Sequence, residues 1–328
     1  LLDAAAVVRD LENSVVEISK CGSINKAAHK LFLSQSGIST AVRELEEELG
    51  IRFFTRSNRG VEFTPEGKEF LSYAVSLLEQ KQRIESLYGE SSNTAAPTRF
   101  SVSTQRYPFT EDAFLRMLQC TQDNRYCFSI REAGMDAVID DVYDHRADIG
   151  VIFLTELTEK IIRRLLDARE LDFHEIASVS PCIYVRKCHP LANRDGVSEE
   201  DLAGYPYVSF EHSQGVGTDF SEEYQILSIK KPAQQISVNN RATMMNVLAN
   251  TDAYTTGSGL LVERLTSQAV LTIPLSGKTC IRLGWIRPRS SKLTPQAAQF
   301  VGLLDQSIAE SIAFTDRVHQ SLCHGPSH

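Results

Sequence analysis

The sequence contains no apolar run that approaches the roughly 20 residues needed for a membrane-spanning helix. Its first residues, LLDAAAVVRDLEN, place an acidic side chain third and have no basic lead, unlike a secretory signal. We therefore expect no membrane partner and a cytoplasmic location. At 328 residues the chain is long enough for two or three domains, and its 42% hydrophobic content is typical of globular proteins.

Cysteine occurs seven times, but no two cysteines have the CxxC spacing. An odd number of cysteines without that spacing predicts neither a disulfide framework nor a zinc module. We expect buried, reduced thiols instead. A redox-sensing pair remains an alternative, and Cys182 with Cys188 is the best candidate for it.

The motifs of common catalytic sites are also missing from the sequence, including GxGxxG, the Walker A loop, HExxH and the nucleophile elbow. The adjacent carboxylates Asp140-Asp141 and Glu222-Glu223 are predicted to be solvated on helices. His174, His189 and His212 have no partner at a metal-ligand spacing. We therefore expect no enzyme, no metal site and no cofactor.

The net charge of −8 argues against a protein that coats nucleic acid through bulk electrostatics. The charge is unevenly distributed, because residues 20–60 contain seven basic and four acidic side chains. The four acidic residues cluster near the end of one predicted helix. The remaining basic patch favours specific contacts with a nucleic acid over non-specific binding.

Residues 23–67 have the pattern of two helices, a hairpin and the start of a third helix. Ser23 can cap the first helix, and Ser34 can cap the second, which we predict over about residues 35–48 with Gly50 as its stop. The second helix combines a polar face with an apolar face, the latter formed by Ile38, Val42, Leu45 and Leu49. The polar face suits base edges and phosphates, although a merely solvated surface would have the same composition.

In this segment the sequence resembles the winged helix-turn-helix of LysR-type transcriptional regulators. The matching residues, in fixed order, are Gly22, Ser23, Ala27, Ala28, Leu31, Ser34, Gln35, Ser36, Ser39, Leu45, Glu46, Leu49, Gly50, Phe54, Arg56, Thr64 and Gly67. The resemblance implies that the second helix enters the major groove of DNA, while the hairpin touches the backbone or minor groove. The predicted DNA-binding residues are Ser23, Lys26, Ser34, Gln35, Ser36, Ser39, Thr40, Arg43, Arg52, Arg56 and Arg59.

A long helix is predicted after the hairpin, from Thr64-Pro65 to about Gly89. Apolar residues recur along it every seven positions, which favours pairing with a second helix over packing on its own domain. The resemblance implies that this helix is a dimer contact. The seam residues are Phe70, Leu77 and Ile84, with Tyr73 and Leu87 in second positions. A small-residue linker, SSNTAAPT, follows at residues 91–98.

From Arg99 onward, strand and helix patterns alternate, which predicts an α/β architecture with largely parallel sheets. The predicted strands lie near residues 100–102, 126–130, 148–154, 183–185, 207–210, 233–238 and 279–286. The segments RADIGV (146–151), HPLA (189–192) and PYVSF (206–210) resemble the effector domain of the same family. The resemblance implies two Rossmann-like subdomains, as in periplasmic binding proteins, with a ligand between them.

We therefore predict an α/β protein with an N-terminal all-α winged helix-turn-helix at residues 1–64. The dimerisation helix follows at 65–89, a hinge at 90–98, the effector-binding domain at 99–315 and a tail at 316–328. Subdomain I comprises 99–162 and 272–315, and subdomain II comprises 168–266. The two crossings between the subdomains are expected near 160–170 and 265–275.

Polar residues at strand ends and helix starts are the candidates for effector binding, because free N–H groups there suit small anions and polar metabolites. They are Ser103, Thr104, Gln105, Ser209, Glu211, Arg241 and Thr243. Each of them could instead act only as a helix cap. Arg241 suggests an anionic effector, although a surface ion pair would also explain it.

The sequence thus predicts a sequence-specific DNA-binding transcriptional regulator that responds to a small molecule bound between two α/β lobes. Its partners would be double-stranded DNA, the effector, RNA polymerase and other copies of the chain. The copies would pair through the long helix, and dimers would associate through the α/β domains into a homotetramer. Two alternatives remain, a thiol-redox-sensing regulator of the same architecture and a cytosolic solute-binding protein.

Overall fold

The computed structural model of the chain describes residues 15–57, 60–88, 97–122, 124–211, 233–265, 269–277 and 279–323. Its internal contacts separate two compact units, Leu1–Ala96 and Pro97–His328. We call the described part of the first unit the head and that of the second unit the body. Several predicted features lie outside the described residues: Arg59, His212, Glu222-Glu223 and most of the linker at 91–98. Within the described residues, no helix has the length and apolar character required to cross a membrane.

The described residues of the head form four helices and a hairpin. They are α1 (Val16–Cys21), α2 (Ile24–Lys30), α3 (Gln35–Leu49), β1 (Phe54–Ser57), β2 (Gly60–Phe63) and α4 (Pro65–Tyr88). The Ser34 Oγ accepts a hydrogen bond from the Gly37 N–H at 3.0 Å and so caps α3. Gly50 ends α3 with a φ of 69°, a conformation that glycine adopts without steric cost. Both predicted ends of this helix are confirmed.

The predicted cap of α2 is wrong in its chemistry. Ser23 lies at the N-cap position, but its hydroxyl makes no capping hydrogen bond. The Ser23 carbonyl instead accepts the first helical bond, from the Ala27 N–H at 3.0 Å. Asn25 and Lys26 are exposed, so water can satisfy the free N–H groups of this short helix.

The start of α4 packs closely on the head. The Gly67 N–H donates to the Thr64 Oγ1 at 2.8 Å, which confirms Thr64 as the cap of this helix. A Cβ atom at Gly67 would lie 2.2 Å from the Phe53 carbonyl oxygen, so only glycine fits here. The Phe70 ring stacks on Phe53 with 4.3 Å between centroids. The prediction that Phe70 belongs to the dimer seam is therefore wrong, because its side chain packs within its own head.

The first lobe of the body contains a five-stranded sheet. Its strands are β3 (Thr98–Thr104), β4 (Tyr126–Glu132), β5 (Ile149–Thr155), β6 (Leu171–Val179) and β12 (Ile281–Pro288), in the order β4-β3-β5-β12-β6. β3 runs parallel to β4 and β5, whereas β12 is antiparallel to β5 and β6. The helices of this lobe are α5 (Pro108–Cys120), α6 (Met135–Tyr143), α7 (Glu159–Ala168) and α10 (Pro295–Cys323).

The second lobe contains two smaller sheets. β7 (Cys182–Arg186) lies antiparallel between β10 (Thr255–Gly257) and β11 (Val270–Pro274). β8 (Tyr207–Phe210) pairs in parallel with β9 (Gln235–Val238). The described helices of this lobe are α8 (Glu199–Leu202) and α9 (Arg241–Asn250). An α/β body is confirmed, but the sheets are mixed and the prediction of largely parallel sheets is wrong.

Strands β6 and β11 also move the boundaries between the lobes. The predicted crossings near 160–170 and 265–275 placed residues 171–179 in subdomain II and residues from 272 onward in subdomain I. β6 instead pairs with β12 in the first lobe, and β11 pairs with β7 in the second. The chain therefore crosses between β6 and β7 and again between β11 and β12. Neither β6 nor β11 was among the predicted strands, so the sequence offered no partner for either.

Helix α10 replaces most of the predicted tail at 316–328, because it continues to Cys323. Its side chains at every fourth position are polar and face the protein: Ser307, Ser311, Thr315 and His319. The Ser307 hydroxyl donates to Asp112 on α5 at 2.7 Å. The Thr315 Oγ1 accepts from the Leu261 N–H at 3.0 Å, and the His319 Nε2 lies 2.9 Å from the Thr272 hydroxyl on β11. α10 is therefore bonded to both lobes.

Candidate DNA-binding surface and effector cleft

The polar face of α3 is open to solvent. Ser36, Thr40 and Arg43 recur at helical spacing on that face and are exposed, as is Gln35 at the first helical position. Ser39 is half-buried, and Ser34 lies within 3.1 Å of the Ser36 hydroxyl. The opposite face is buried in the head core through Ile38, Val42 and Leu45. α3 thus presents short hydrogen-bonding groups and one long cation on a rigidly packed support.

A buried carboxylate joins α3 to the hairpin. The Glu46 carboxylate accepts hydrogen bonds from the Phe53 N–H at 2.6 Å and the Phe54 N–H at 3.3 Å. It also forms an ion pair with the exposed Arg52 at 3.1 Å. Arg52, a predicted DNA contact, is therefore held by an internal partner. In the sequence, Glu46 is one of the residues that carry the resemblance and also one of a run of acidic residues, and neither feature predicts its bonds to the hairpin.

The other predicted basic contacts within the described head are Lys26 and Arg56, and Lys30 was not among the predicted contacts. Lys26 is exposed on α2, whereas Lys30 forms an ion pair with Glu17 at 2.5 Å. The backbone of Arg56 lies in β1 opposite Val61. Lys26 and Arg52 are exposed cations on the segments that precede and follow α3, and such side chains suit contacts with phosphates.

In the body, the predicted effector residues at the end of β3 are buried. The Ser103 hydroxyl donates to the Asp141 carboxylate at 2.7 Å. Asp141 also pairs with Arg131 at 2.7 Å and Arg146 at 2.9 Å. The prediction that both Asp140 and Asp141 are solvated is wrong for Asp141, whose side chain is 2% exposed against 44% for Asp140. Two neighbouring residues on a helix point in different directions, and α6 turns Asp141 toward the sheet.

Three further effector candidates also have internal partners. The Thr104 hydroxyl donates to the Gln105 carbonyl at 2.8 Å, and the Gln105 side-chain oxygen accepts from the Phe153 N–H at 3.3 Å. The Ser209 hydroxyl accepts from the Gln235 amide at 3.2 Å. Their polar groups stabilise the lobes in this structure. They are therefore less available to a ligand than their positions at strand ends predicted.

The remaining candidates lie nearer the surface. Glu211 and Thr243 are exposed, and Arg241 at the start of α9 is half-buried. The Arg241 guanidinium forms an ion pair with Glu111 on α5 and lies 3.8 Å from the Glu132 carboxylate at the end of β4. Arg241 belongs to the second lobe, whereas Glu111 and Glu132 belong to the first. The ion pair thus spans the cleft between the lobes.

A second contact spans the same cleft. The Arg106 guanidinium, which follows β3, lies 4.0 Å from the centroid of the Phe210 ring on β8. Burial raises the pKa of Glu132, and the charge of Arg106 opposes that shift. Burial also lowers the pKa of Arg241, but an arginine with an ordinary value of 12.5 keeps its charge. The sequence analysis missed Arg106, Glu111 and Glu132, because isolated charges carry no motif.

The cysteines proposed as a redox pair are held apart. Cys182 opens β7 and Cys188 lies beyond its end at Arg186. At about 3.3 Å per residue, the strand alone separates them by more than the roughly 7 Å that a disulfide allows between Cα atoms. Burial also raises the pKa of Cys182 to about 12, which keeps its thiol protonated. A disulfide between these two residues is contradicted while β7 remains paired.

Two of the histidines have clear packing partners. The His189 Nε2 lies 3.1 Å from the Asp252 carbonyl oxygen, and its Nδ1 accepts from the Leu191 N–H at 3.1 Å. The His174 ring stacks on Trp285 with 4.1 Å between centroids. Among the residues that the structure describes, no group of three or more His, Cys, Asp or Glu side chains could hold a metal ion.

Comparison with known proteins assigns both units to one family. Residues 11–68 match the family model of bacterial regulatory helix-turn-helix proteins of the lysR family, and residues 123–309 match the LysR substrate binding domain. The uncharacterized HTH-type transcriptional regulator YbhD of Escherichia coli is 24% identical over 88% of both chains. The HTH-type regulator YofA of Bacillus subtilis is 30% identical over 42% of this chain, and the match spans about half of YofA's length (47%).

Solved structures share the fold. The full-length CbnR structure in complex with its target DNA superposes with a TM-score of 0.59 at 17% identity, covering 92% of this chain and 99% of CbnR. The body has the two-lobed α/β form and the head has the helix-turn-helix with its hairpin, which is the architecture of a DNA-binding transcriptional regulator with an effector-binding domain. Because the substrate-binding match alone covers more than half of its length, the chain belongs to the LysR family.

Proposed function

We propose that this chain controls transcription by placing α3 in the major groove of an operator, under the control of a small molecule bound between the lobes of the body. The observation that carries the DNA-binding part is the exposed polar face of α3, set on a buried apolar face. The hydrogen-bonding groups of Gln35, Ser36 and Thr40 match the donors and acceptors of base edges. Arg43, Lys26, Arg52, Arg56 and Arg59 are proposed contacts to phosphates or bases.

Footprinting on the DNA upstream of the gene tests this proposal. We expect a partly palindromic protected site with half-sites about one or two helical turns apart. Gln35→Ala and Arg43→Ala should each weaken binding by about tenfold without a change in unfolding temperature, because both side chains are exposed. An unchanged footprint with both variants would remove α3 from the interface. Loss of Arg56 should also flatten the salt dependence of binding if it contacts a phosphate.

The proposed effector site is the cleft crossed by the Arg241–Glu111 ion pair and the Arg106–Phe210 contact. A small anion could replace Glu111 as the partner of Arg241, and this exchange would change how the lobes are held. Glu211 and Thr243 are exposed near the candidate cleft residues in sequence and remain proposed contacts. The four buried candidates would stabilise the lobes around the site and would not contact the effector, because their polar groups are already bonded within the lobes. They are Ser103, Thr104, Gln105 and Ser209.

Thermal unfolding with a panel of small organic acids tests the effector proposal. A ligand at about 100 times its Kd stabilises the folded state by about 2.7 kcal/mol, which is a measurable shift in Tm. Arg241→Gln should remove the shift for an anionic effector, whereas the distant Arg289→Gln should not. A ligand that stabilises both variants equally would place the site elsewhere.

We further propose a homodimer through α4, and pairs of dimers through the bodies. The support for α4 is that Tyr73 is 67% exposed and Leu77 is also exposed, although both are apolar seam residues. Ala74 and Leu78 on the neighbouring face are buried in the head. Light scattering of the purified protein would show a dimer or tetramer, and Tyr73→Glu with Leu77→Glu should dissociate it. Such a regulator would act in the cytoplasm, and RNA polymerase is a proposed partner.

A further inference from the structure

The head places three residues in the left-handed backbone conformation. Two of them are glycines, Gly22 with a φ of 64° and Gly50 with a φ of 69°. The third is Phe32, with a φ of 55°, in the turn between α2 and α3. A side chain with a Cβ is strained at such a φ, and a bulky one more so than most. Glycine would therefore adopt the backbone conformation of this turn with less strain than phenylalanine does.

The core of the head gives no reason for Phe32 either. Its side chain is 96% exposed, and that of the following Leu33 is 49% exposed. The other phenylalanine rings of the described head, by contrast, pack against each other, as Phe54 does on Phe63 with 4.6 Å between centroids. Neither packing nor backbone geometry accounts for the aromatic ring. A bulky, exposed side chain held at a strained backbone position points to a contact made with a partner.

The position of Phe32 identifies DNA as that partner. Phe32 lies two residues before Ser34, the cap of α3, and every residue from Phe32 to Ser36 is exposed. The turn is therefore part of the same face that we propose for the operator. Most of what a base pair displays in the major groove is polar, and its one apolar group is the C5 methyl of thymine. A phenylalanine at the edge of the recognition helix suits that group.

We propose that Phe32 makes an apolar contact with a thymine methyl at the edge of each half-site and so contributes to operator specificity. This inference rests on the proposed DNA-binding function of the head. It adds a residue outside the polar set of α3 and predicts a base preference for thymine at one position. The exposed Leu33 widens the apolar surface beside it.

The first test separates this contact from a structural role. In Phe32→Gly the strain at φ 55° is relieved, so the unfolding temperature should stay the same or rise. Operator affinity should nevertheless fall about five- to tenfold, the value of one lost apolar contact. Phe32→Leu, which keeps an apolar side chain, should bind within about twofold of the wild type. A variant Phe32→Gly that binds the operator normally would overturn the proposal.

The second test identifies the group on the DNA. Each thymine of a footprinted half-site is replaced in turn by deoxyuridine, which lacks only the C5 methyl. The wild type should lose about five- to tenfold in affinity at one position, and Phe32→Gly should be insensitive to the same replacement. Equal sensitivity of both proteins, or no sensitive thymine, would overturn the methyl contact. A change of oligomeric state in Phe32→Gly with no deoxyuridine effect would assign the ring to a second copy of the chain and overturn the proposal.

The two tests also distinguish failure of the inference from failure of the proposed function. If the wild type protects no DNA from any promoter region at low salt, the proposed DNA-binding function is wrong, and the proposed role of Phe32 is wrong as a consequence. If the wild type protects an operator and the Phe32 variants behave like it, only the contact of Phe32 is wrong.

Discussion

One face of helix α3 in the head presents polar side chains to solvent, whereas the polar side chains at the end of β3 in the body are buried and bonded. Thr40 and Arg43 are exposed, while Ser103 donates to Asp141 inside the first lobe. The exposed face of α3 is therefore open to an external partner, and its one cation, Arg43, has only a distant internal partner, Glu47 at 3.8 Å. The body has already used many of its groups to hold the lobes, so a ligand there must exchange partners with existing bonds.

Because of this difference, we expect substitutions on α3 to affect binding and substitutions of buried polar groups in the body to affect folding stability. We expect a change to an exposed group on α3 to weaken binding to a partner and to leave the fold intact. A change to a buried polar group in the body leaves its former partners without a bond, and an unsatisfied buried group costs about 1–3 kcal/mol. The following variants test that separation, from the largest expected effect to the smallest.

Asp141→Ala should be the most destabilising of these changes. Asp141 accepts from Ser103 and pairs with Arg131 and Arg146. Its removal leaves the buried Ser103 hydroxyl without its acceptor and Arg131 without its carboxylate, while Arg146 keeps only its ion pair with Asp144. We expect a loss of about 3 kcal/mol in the free energy of unfolding, measured by urea denaturation. The control is Asp140→Ala on the same helix, whose exposed ion pair with Arg169 should contribute less than about 1 kcal/mol. Equal losses for the two variants would contradict a buried network.

Gly67→Ala tests the closest backbone approach in the head. The added Cβ would meet the Phe53 carbonyl oxygen at 2.2 Å, and a backbone atom cannot move aside as a side chain can. We expect a loss of about 2 kcal/mol in stability. Gly302→Ala in α10 is the matched control in the body, because nothing lies within 4 Å of its Cβ position. That change should stabilise the helix by about 0.5–1 kcal/mol.

His319→Ala tests the link between α10 and the second lobe. The imidazole lies 2.9 Å from the Thr272 hydroxyl and 3.0 Å from the Thr272 carbonyl oxygen. Its loss should cost about 1 kcal/mol and raise amide hydrogen exchange in β11, while exchange in α3 stays unchanged. Asp316→Ala, an exposed change on the same helix, should leave both unaltered. Unchanged exchange in β11 would show that α10 does not hold that strand.

Glu310→Gln should have the smallest effect on stability, and that effect should depend on pH. A hydrogen bond from Arg116 lowers the pKa of Glu310 from its ordinary value of 4.5 to about 2. A lowered pKa stabilises the fold above pH 4.5, and this stabilisation is lost as the pH falls toward 2. The wild type should thus have a higher Tm than the variant at neutral pH and the same Tm near pH 2. Glu263→Gln, a more exposed carboxylate 3.8 Å from Arg317, is the control.

The head was more predictable from the sequence than the body because its signals are local. Ser34 and Gly50 mark the ends of α3 through their own chemistry, and the 3.6-residue period of Ile38, Val42 and Leu45 defines its buried face. The predictions that failed in the head did so because tertiary packing overrode the local pattern. Phe70 has the heptad spacing of a seam, yet its ring stacks on Phe53, which lies far from it in sequence.

In the body, the lobe boundaries depend on which strands pair, and pairing partners are distant in sequence. β6 is half-buried at the edge of its sheet, and its partner β12 begins at Ile281, so no local pattern assigns β6 to the first lobe. Asp141 and Asp140 are the same residue type on one helix, and only the position of the sheet makes one buried. The ion pair of Arg241 with Glu111 likewise joins residues from different lobes.

Helix α10 has a practical consequence for anyone who isolates the effector domain. The matched substrate-binding domain ends at residue 309, but α10 continues to Cys323. A fragment cut at 309 would lack Glu310, the partner of Arg116, and the groups that bond Leu261 and Thr272. It would also lose one wall of a cavity of about 470 Å³ that Arg116 and Phe314 help to line. Such a fragment would report on a looser domain than the one in the whole chain, so ligand screens should retain the complete helix.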